Sequence, residues 1–311
     1  MLKNGLINIP ILSLLLIFLT GQTAFAQPKS LALLQATSNP TNDPIQDLMF
    51  SSIGRAETVF SQLSPNVAQV KNIVFGSQRV DVGSASHFDP ANSTLFIIRP
   101  RCENIQRELT IQEFLPVAIH EFGHGMFESS LVSALKEDYL NRPDNNNQRV
   151  RLIMKNDILA ADNLPLPMDQ LSFPVHELIA DTISVFILND PDAMSNYFHL
   201  CDGESNVRSF TYNYKLEGWT VGALGGQLDR RHEVFNPTRN YIWRKLTDLN
   251  PRSADAKAII LNALVDASVK YLKRLASLNV TYKTFRSIDQ EQMNRDLIAL
   301  FEIELAKRVW N

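Results

Sequence analysis

Cysteine is scarce in this chain and basic residues are not in excess, and both shortages narrow the possible functions. The 311 residues include two cysteines, Cys102 and Cys201, and carry a formal net charge of −3. The cysteines are too far apart for a Cys-x-x-Cys pair, which argues against the common thiolate zinc sites. The slightly acidic balance gives no basic footprint, so we expect no nucleic-acid partner. Internal repeats and low-complexity tracts are also missing, which argues against repeat architectures.

The N-terminus has the three parts of a secretory signal peptide. Lys3 precedes an apolar run at 9–19, and Ala24-Phe25-Ala26 supplies small residues for a cleavage site. The apolar run is short for a membrane span, and no other stretch is expected to approach a spanning length. We therefore expect cleavage after Ala26 and a soluble protein that is secreted or periplasmic.

An oxidising compartment leaves two alternatives for the cysteines. A disulfide between Cys102 and Cys201 would close a loop of about a hundred residues, which the chain-entropy model values at up to about 4–5 kcal/mol. Spacing alone does not establish the geometry of such a bond. The two residues are therefore predicted to be either structural, as a disulfide pair, or free.

The run His120-Glu121-x-x-His124 is the pattern that points to a reaction. On a helix, histidines four residues apart share one face, so both imidazoles can reach a single Zn²⁺ with Glu121 beside them. Zinc with three protein ligands lowers the pKa of a bound water to about 7, and a nearby carboxylate can take the proton of that water. The motif therefore predicts amide hydrolysis. The alternative is a buried helix whose histidines are merely hydrogen-bonded.

The residues before the motif are typical of a helix start. Thr110-Ile111-Gln112-Glu113 offers a capping box, and apolar residues follow it. Pro116 predicts that the helix either kinks there or begins near it.

A later apolar segment supplies a third ligand. Residues 173–186 predict a helix opened by Pro174 near its first turn, with Glu177 and Asp181 on one face. Two carboxylates inside a buried helix need partners, and zinc for Glu177 with a histidine N–H for Asp181 would satisfy both. His176 is a weaker ligand candidate, because on a helix it points about 100° away from Glu177.

The motif residues together resemble those of the gluzincin metallopeptidases. In that family two histidines flank a glutamate on one helix, and a later helix carries a second glutamate with an aspartate four residues after it. These metallopeptidases are the thermolysin-like branch of the zincins, and the resemblance covers roughly 85 to 235. The matching residues are His120, Glu121, His124, Glu177 and Asp181. The resemblance implies that the two histidines and Glu177 bind zinc, that Glu121 is the general base, and that Asp181 orients His120.

Two related patterns are missing from the sequence. A metzincin-like continuation would need glycine at position 127 and histidine at position 130, where this chain has Phe127 and Ser130. The Gly-x-Met-Glu-Asn motif of gluzincin aminopeptidases is not present either. Endopeptidase action is therefore the default expectation.

Thermolysin-like enzymes also use a histidine beyond the glutamate ligand, together with a tyrosine, to hold the developing oxyanion. The candidate in the corresponding chain order is His232, whose alternative is a place in a solvated polar loop. Tyr241, Tyr139 and Arg239 are possible helpers, and the sequence does not choose among them.

The pattern around the motif predicts an α+β protein. Two strands with a tight connection, at 80–88 and 94–99, precede the zinc helix. This order resembles the small mixed or antiparallel sheet of a zincin-like catalytic domain, where an edge strand can pair with an extended peptide. The segment 150–161 is compatible with helix or strand.

The C-terminal part is predicted to be mainly helical. Ser253–Ala276 has apolar residues at helical spacing, and a last helix is expected to start at a capping Ser287 with Gln290. We therefore expect a signal peptide at 1–26, an upper α+β part with the zinc helix at 27–170, and a helical lower part with the third ligand at 171–311.

The resulting prediction is an exported zinc-dependent peptidase that acts on peptides or proteins. One alternative is a catalytically silent zinc-binding or scaffold protein of the same fold, against which the intact Glu121 argues. Another is a zinc amidase acting on cell-wall peptides, which would share every site residue and differ only in the cleft.

Overall fold

The computed structural model describes residues 72–76, 86–89, 93–98, 101–102, 105, 107–141, 146–202, 208–212 and 232–309. Across these residues the protein is mostly helical with small β-sheets, which agrees with the predicted α+β class. The strands are β1 (Asn72–Gly76), β2 (His87–Asp89), β3 (Thr94–Ile98), β4 (Arg101–Cys102) and β5 (Arg107–Glu108). The helices are α1 (Ile111–Asn141), α2 (Asn146–Met154), α3 (Ile158–Asp162), α4 (Met168–Leu188), α5 (Ala193–Asp202), α6 (Asn236–Leu249), α7 (Ala254–Ser277), α8 (Tyr282–Ser287) and α9 (Gln290–Val309). The predicted signal peptide at 1–26 lies outside the described residues.

The larger sheet is mixed and has β3 in its centre. β1 pairs with β3 in parallel and β2 pairs with β3 antiparallel, giving the order β1-β3-β2. The predicted strand at 94–99 is therefore confirmed over Thr94–Ile98, and residue 99 lies outside the described residues. Of the predicted strand at 80–88, the described part is β2, which runs on to Asp89 where a turn was expected. Its residues 80–85 lie outside the described chain, and β1 was not predicted.

Helix α1 begins with the predicted capping box. The backbone N–H of Thr110 donates to Glu113 Oε2 at 2.8 Å, and the N–H of Glu113 donates to Thr110 Oγ1 at 3.4 Å. Pro116 lies in the second turn, so the helix begins near it, which was one of the two alternatives. The departure from helical geometry comes much later, at Leu135.

Helix α4 starts earlier than its sequence suggested. It begins at Met168, so the prediction that Pro174 opens it was wrong, and Pro174 lies inside the helix. Tertiary packing outweighs the missing N–H, because most residues of the helix are buried. The predicted division of the chain after residue 170 falls inside α4 and stays a prediction.

The composition of α4 corrects a second expectation. By length and apolar character alone it could cross a membrane, although no stretch after the signal peptide was expected to qualify. In the described structure it is the central core helix, and it contacts α1, α5 and α7.

Two glycines of α1 allow neighbouring elements to approach closely. A Cβ atom at Gly123 would lie 2.8 Å from Cα of Ala180, a backbone atom of α4 that can move only with its helix. A Cβ at Gly125 would lie 2.8 Å from the Phe88 ring of β2. α1 is therefore pressed against α4 on one side and β2 on the other, at the level of the His-Glu-x-x-His run.

The C-terminal helices lie close to where the sequence predicted them, but the one predicted cap differs. Ser253, at the start of the predicted segment 253–276, caps α7 and accepts the N–H of Ala256 at 3.2 Å. The prediction that Ser287 caps the last helix was wrong, because Ser287 ends α8. Asp289 accepts the N–H of Glu291 at 3.0 Å at the start of α9. The ambiguous segment 150–161 is helical in α2 and α3, with a turn at 155–157 between them.

A disulfide joins Cys102 of β4 to Cys201 of α5, with the Cα atoms 4.4 Å apart. Of the two alternatives for the cysteines, the paired one is correct. The bond ties the second small sheet, β4 with β5, to the helices across a sequence separation of 99 residues.

We predict that Gly123→Ala lowers the free energy of unfolding by about 1–3 kcal/mol, because the added methyl group would overlap the α4 backbone. Alanine alone would favour the helix by about 1 kcal/mol. Chemical denaturation measures the net effect. The control Ser133→Ala, at an exposed position of the same helix, should be neutral or slightly stabilising. A Gly123→Ala protein as stable as that control would contradict the close helix contact.

Candidate metal centre

Three predicted ligands meet between α1 and α4. His120 Nε2 and His124 Nε2 are 2.9 Å apart. Glu177 Oε1 lies 3.3 Å from His124 Nε2, and Glu177 Oε2 lies 3.4 Å from His120 Nε2. The side chains of His120 and Glu177 are almost fully buried, whereas His124 retains some exposure.

These distances fit a metal ion at the centre of the group. Tetrahedral bonds of about 2.0–2.1 Å to nitrogen and oxygen place neighbouring ligand atoms about 3.3–3.4 Å apart. The ligand atoms of His120, His124 and Glu177 all lie within 4.8 Å of one another, and their closest approaches are near that edge length. The buried group can therefore hold a metal ion, with the two histidines and the glutamate that the sequence selected.

Asp181 lies one helical turn beyond Glu177 and faces the other side of the first histidine. Its Oδ1 is 2.8 Å from His120 Nδ1, the contact expected of a carboxylate that orients this ring. A hydrogen bond from Nδ1 leaves the Nε2 lone pair directed at the ligand group. The helix contact at Gly123 explains this alignment, since Ala180 lies between Glu177 and Asp181 in the sequence.

Two buried arginines complete the cluster. Arg208 NH2 donates to Glu177 Oε2 at 2.7 Å, and Arg208 Nε donates to Asp181 Oδ2 at 2.9 Å. Arg239 Nε donates to the same Asp181 oxygen at 2.8 Å. Arg208 was not foreseen from the sequence, and Arg239 was considered only as a helper at the oxyanion. The buried carboxylates therefore have cationic partners as well as histidines.

Burial and neighbouring charges shift the pKa values of Glu121, His120 and His124 in different directions. Burial raises the pKa of Glu121 to about 7 and lowers the pKa of His124 to about 4. Burial and the charge of Arg208 disfavour protonated His120, but its hydrogen bonds to Asp181 and Glu177 prevail and raise its pKa to about 9. The two facing imidazoles therefore differ in proton affinity, and His120 is the stronger base.

A cavity of about 410 Å³ opens onto the cluster. Its lining includes Glu121, His124, Glu177 and His232, and also His87 and Phe88 of β2. The strand β2 is an edge strand in the part of the larger sheet that the structure describes. The proposed base, two of the ligands and a strand edge thus face the same space.

The structure separates the weaker candidates. His232 Nε2 is 3.5 Å from Glu177 Oε2, with its side chain 25% exposed, so the ring lies at the cluster. His176 lines the cavity, but its Nε2 contacts Glu128 Oε2 at 3.0 Å and lies outside the ligand group.

The suggested helpers of His232 lie elsewhere or are not described. The Tyr241 hydroxyl donates to Glu302 of α9 at 2.5 Å and does not line the described cavity. Arg239 is fully buried behind Asp181. The side chain of Tyr139 lies outside the described structure.

With this geometry established, the chain was compared with known proteins. No protein-family model, no curated protein and no solved structure matches it. The gluzincin resemblance therefore rests on the quoted motif residues.

No signal in the sequence singled out Arg208. Two carboxylates on an apolar helix require charge compensation, and a metal with one histidine was expected to provide all of it. Arginine is the usual partner of a fully buried carboxylate, because its planar fork donates two parallel hydrogen bonds. A divalent metal already balances two carboxylates, so the charge count did not call for a further cation, and nothing local to Arg208 marked it.

We predict that Glu177→Ala loses most bound metal, because it removes one of three ligands. The control is His176→Ala, the adjacent residue, whose ring contacts Glu128 and which should keep its metal. Metal content of both purified proteins is measured by mass spectrometry, with circular dichroism to verify folding. Full occupancy in Glu177→Ala and loss in His176→Ala would exchange the roles of the two residues.

Proposed function

We propose that this chain is an exported zinc-dependent peptidase of the gluzincin type, which hydrolyses peptide bonds. The proposal rests on one observation. The Nε2 atoms of His120 and His124 and the Glu177 carboxylate lie 2.9–3.4 Å from one another. They lie beside a cavity that Glu121 also lines. Nitrogen and carboxylate donors in this number suit zinc and leave room for a water. The zincin-like fold and the export of the protein belong to the same proposal.

Zinc bound there would polarise the scissile carbonyl and acidify the attacking water. Glu121 takes a proton from that water while the water oxygen bonds to the carbonyl carbon. Glu121 then delivers the proton to the amide nitrogen as the C–N bond breaks, so that an acid and an amine leave. Asp181 and the two arginines do not touch the substrate in this scheme, and they hold His120 and Glu177 in place.

His232 is the proposed donor to the developing oxyanion. Its Nε2 is close to Glu177 Oε2, and its ring packs edge-on against Phe173, with ring centroids 5.3 Å apart. Partial exposure allows the ring to reach a substrate from the cavity side. A donor at this place interacts most strongly in the transition state, when the carbonyl oxygen gains negative charge.

The substrate would enter as an extended chain along β2. The edge of this strand can add a peptide strand through backbone hydrogen bonds, and two of its side chains, His87 and Phe88, line the cavity. A cavity of about 410 Å³ accommodates individual side chains of such a peptide. This arrangement favours endopeptidase action on peptides or unfolded proteins.

One observation favours the second candidate, a catalytically silent scaffold of the same fold. Arg208 gives Glu177 an ion-pair partner at 2.7 Å that requires no metal. The raised pKa of Glu121 and its place on the cavity wall favour the enzyme, because a carboxyl group with a perturbed pKa in a cavity is typical of catalytic sites.

We predict that Glu121→Gln keeps its zinc and fold but lowers peptide hydrolysis by about 10²–10⁴-fold, because glutamine cannot accept the proton of water. Cleavage of a peptide library is followed by mass spectrometry, with and without chelator. The matched control is Glu128→Gln, a cavity-lining glutamate paired with His176, which should retain activity. Wild-type protein that binds zinc but cleaves no peptide in a chelator-sensitive way would favour the scaffold.

A further inference from the structure

The backbone around Arg208 is fixed by several hydrogen bonds. The N–H of Phe210 donates to Pro191 O at 3.0 Å, and the Ser209 hydroxyl donates to Asp192 Oδ1 at 2.6 Å. The side-chain amide of Asn240, from α6, donates to Phe210 O at 3.1 Å. Arg208 itself has φ of 60°, a left-handed conformation that is uncommon for residues other than glycine. The arginine is therefore directed inward by a backbone that its neighbours hold.

The guanidinium group of Arg208 touches all parts of the ligand cluster except His124. It pairs with Glu177 and Asp181, and its NH2 atom is 3.0 Å from His120 Nδ1 and 3.1 Å from His120 Nε2. A donor in the plane of the imidazole cannot approach both ring nitrogens this closely without colliding with the carbon between them. The NH2 group therefore lies over the face of the ring, and a full positive charge is packed about 3 Å from two of the three ligand atoms.

The charges of the two buried carboxylates and the two buried arginines balance without a metal. Glu177 and Asp181 carry two negative charges, and Arg208 and Arg239 carry two positive ones. Arg239 contacts Asp181 and Asn236, whereas Arg208 also contacts Glu177. Among the described residues, Arg208 is thus the permanently charged partner of Glu177. An unpaired carboxylate at this depth would be strongly destabilising.

We propose that Arg208 is a built-in counter-charge of the metal centre, which stabilises the assembled ligand group before zinc binds and weakens zinc affinity after it. Both effects have one cause. The guanidinium group attracts Glu177 when no metal is bound, and it repels a divalent cation held by the same carboxylate and by His120. The inference rests on the proposed zinc site and adds to it a residue that sets how tightly the site holds its metal.

The test compares Arg208→Gln with wild type in the metal-free and zinc-loaded states. Glutamine can still donate to Glu177 but carries no charge. We expect the melting temperature of the metal-free variant to fall by several degrees and that of the zinc-loaded variant to fall less, since zinc then neutralises Glu177. Zinc Kd, measured by competition with a chromogenic chelator, should decrease by at least tenfold.

Two further variants separate charge from packing. Arg208→Lys keeps the charge, so its zinc-induced rise in melting temperature should equal that of wild type. Arg239→Gln removes a cation from Asp181 but not from Glu177, so it should lower the metal-free and zinc-loaded melting temperatures equally. If Arg208→Gln folds only with zinc, the proposal is supported. If it folds in neither state, Arg208→Lys decides, and a changed zinc-induced rise in that variant overturns the proposal.

Other outcomes would also overturn the inference. An equal loss of stability in both states of Arg208→Gln would mean that Arg208 only packs against its neighbours. A weaker zinc Kd in this variant would mean that the order Arg208 gives to Glu177 outweighs the repulsion between its charge and the metal. Absence of zinc binding by wild type would instead remove the proposed function, and this inference with it.

Discussion

The structure depends on the burial of two carboxylates, Glu177 and Asp181, on the most apolar helix of the described chain. A buried carboxylate is strongly destabilising unless hydrogen-bonded or charged partners offset the free-energy cost of removing it from water. Two histidines from α1 and two arginines from later segments provide those partners. The pKa of Glu177 accordingly lies well below its usual value, because the charge of Arg208 and the hydrogen bond from His120 outweigh the effect of burial. The free-energy cost of burying the pair supports the proposal that these residues form a functional site.

The positions of these groups follow from the packing of two helices. Gly123 and Ala180 let the axes of α1 and α4 approach until a Cβ at position 123 would touch backbone. The histidines lie on either side of Gly123 in the sequence, and the carboxylates lie on either side of Ala180. A larger residue at either contact would separate the histidines from the carboxylates. The same close packing lets Ser184 of α4 donate to the carbonyl of Pro116 at 2.7 Å.

The ligand group could be predicted from sequence because its chemistry is local. His120 and His124 are related by a helical turn, and Glu177 was identified by the improbability of an unpaired charge in an apolar helix. The start of α4 was predicted too late, because tertiary packing tolerates Pro174 inside the helix. The cap of α9 was assigned to Ser287, whereas Asp289 accepts the N–H of Glu291 at the start of that helix. Arg208 depends on a loop fold that no short-range pattern encodes.

Anomalous diffraction at the zinc absorption edge, from crystals of the zinc-loaded protein, tests the central claim most directly. The account predicts one strong peak about 2.0–2.2 Å from His120 Nε2, His124 Nε2 and one oxygen of Glu177. A zinc peak at other residues, with Glu177 held by Arg208 and the two histidines bonded only to protein groups, would contradict it.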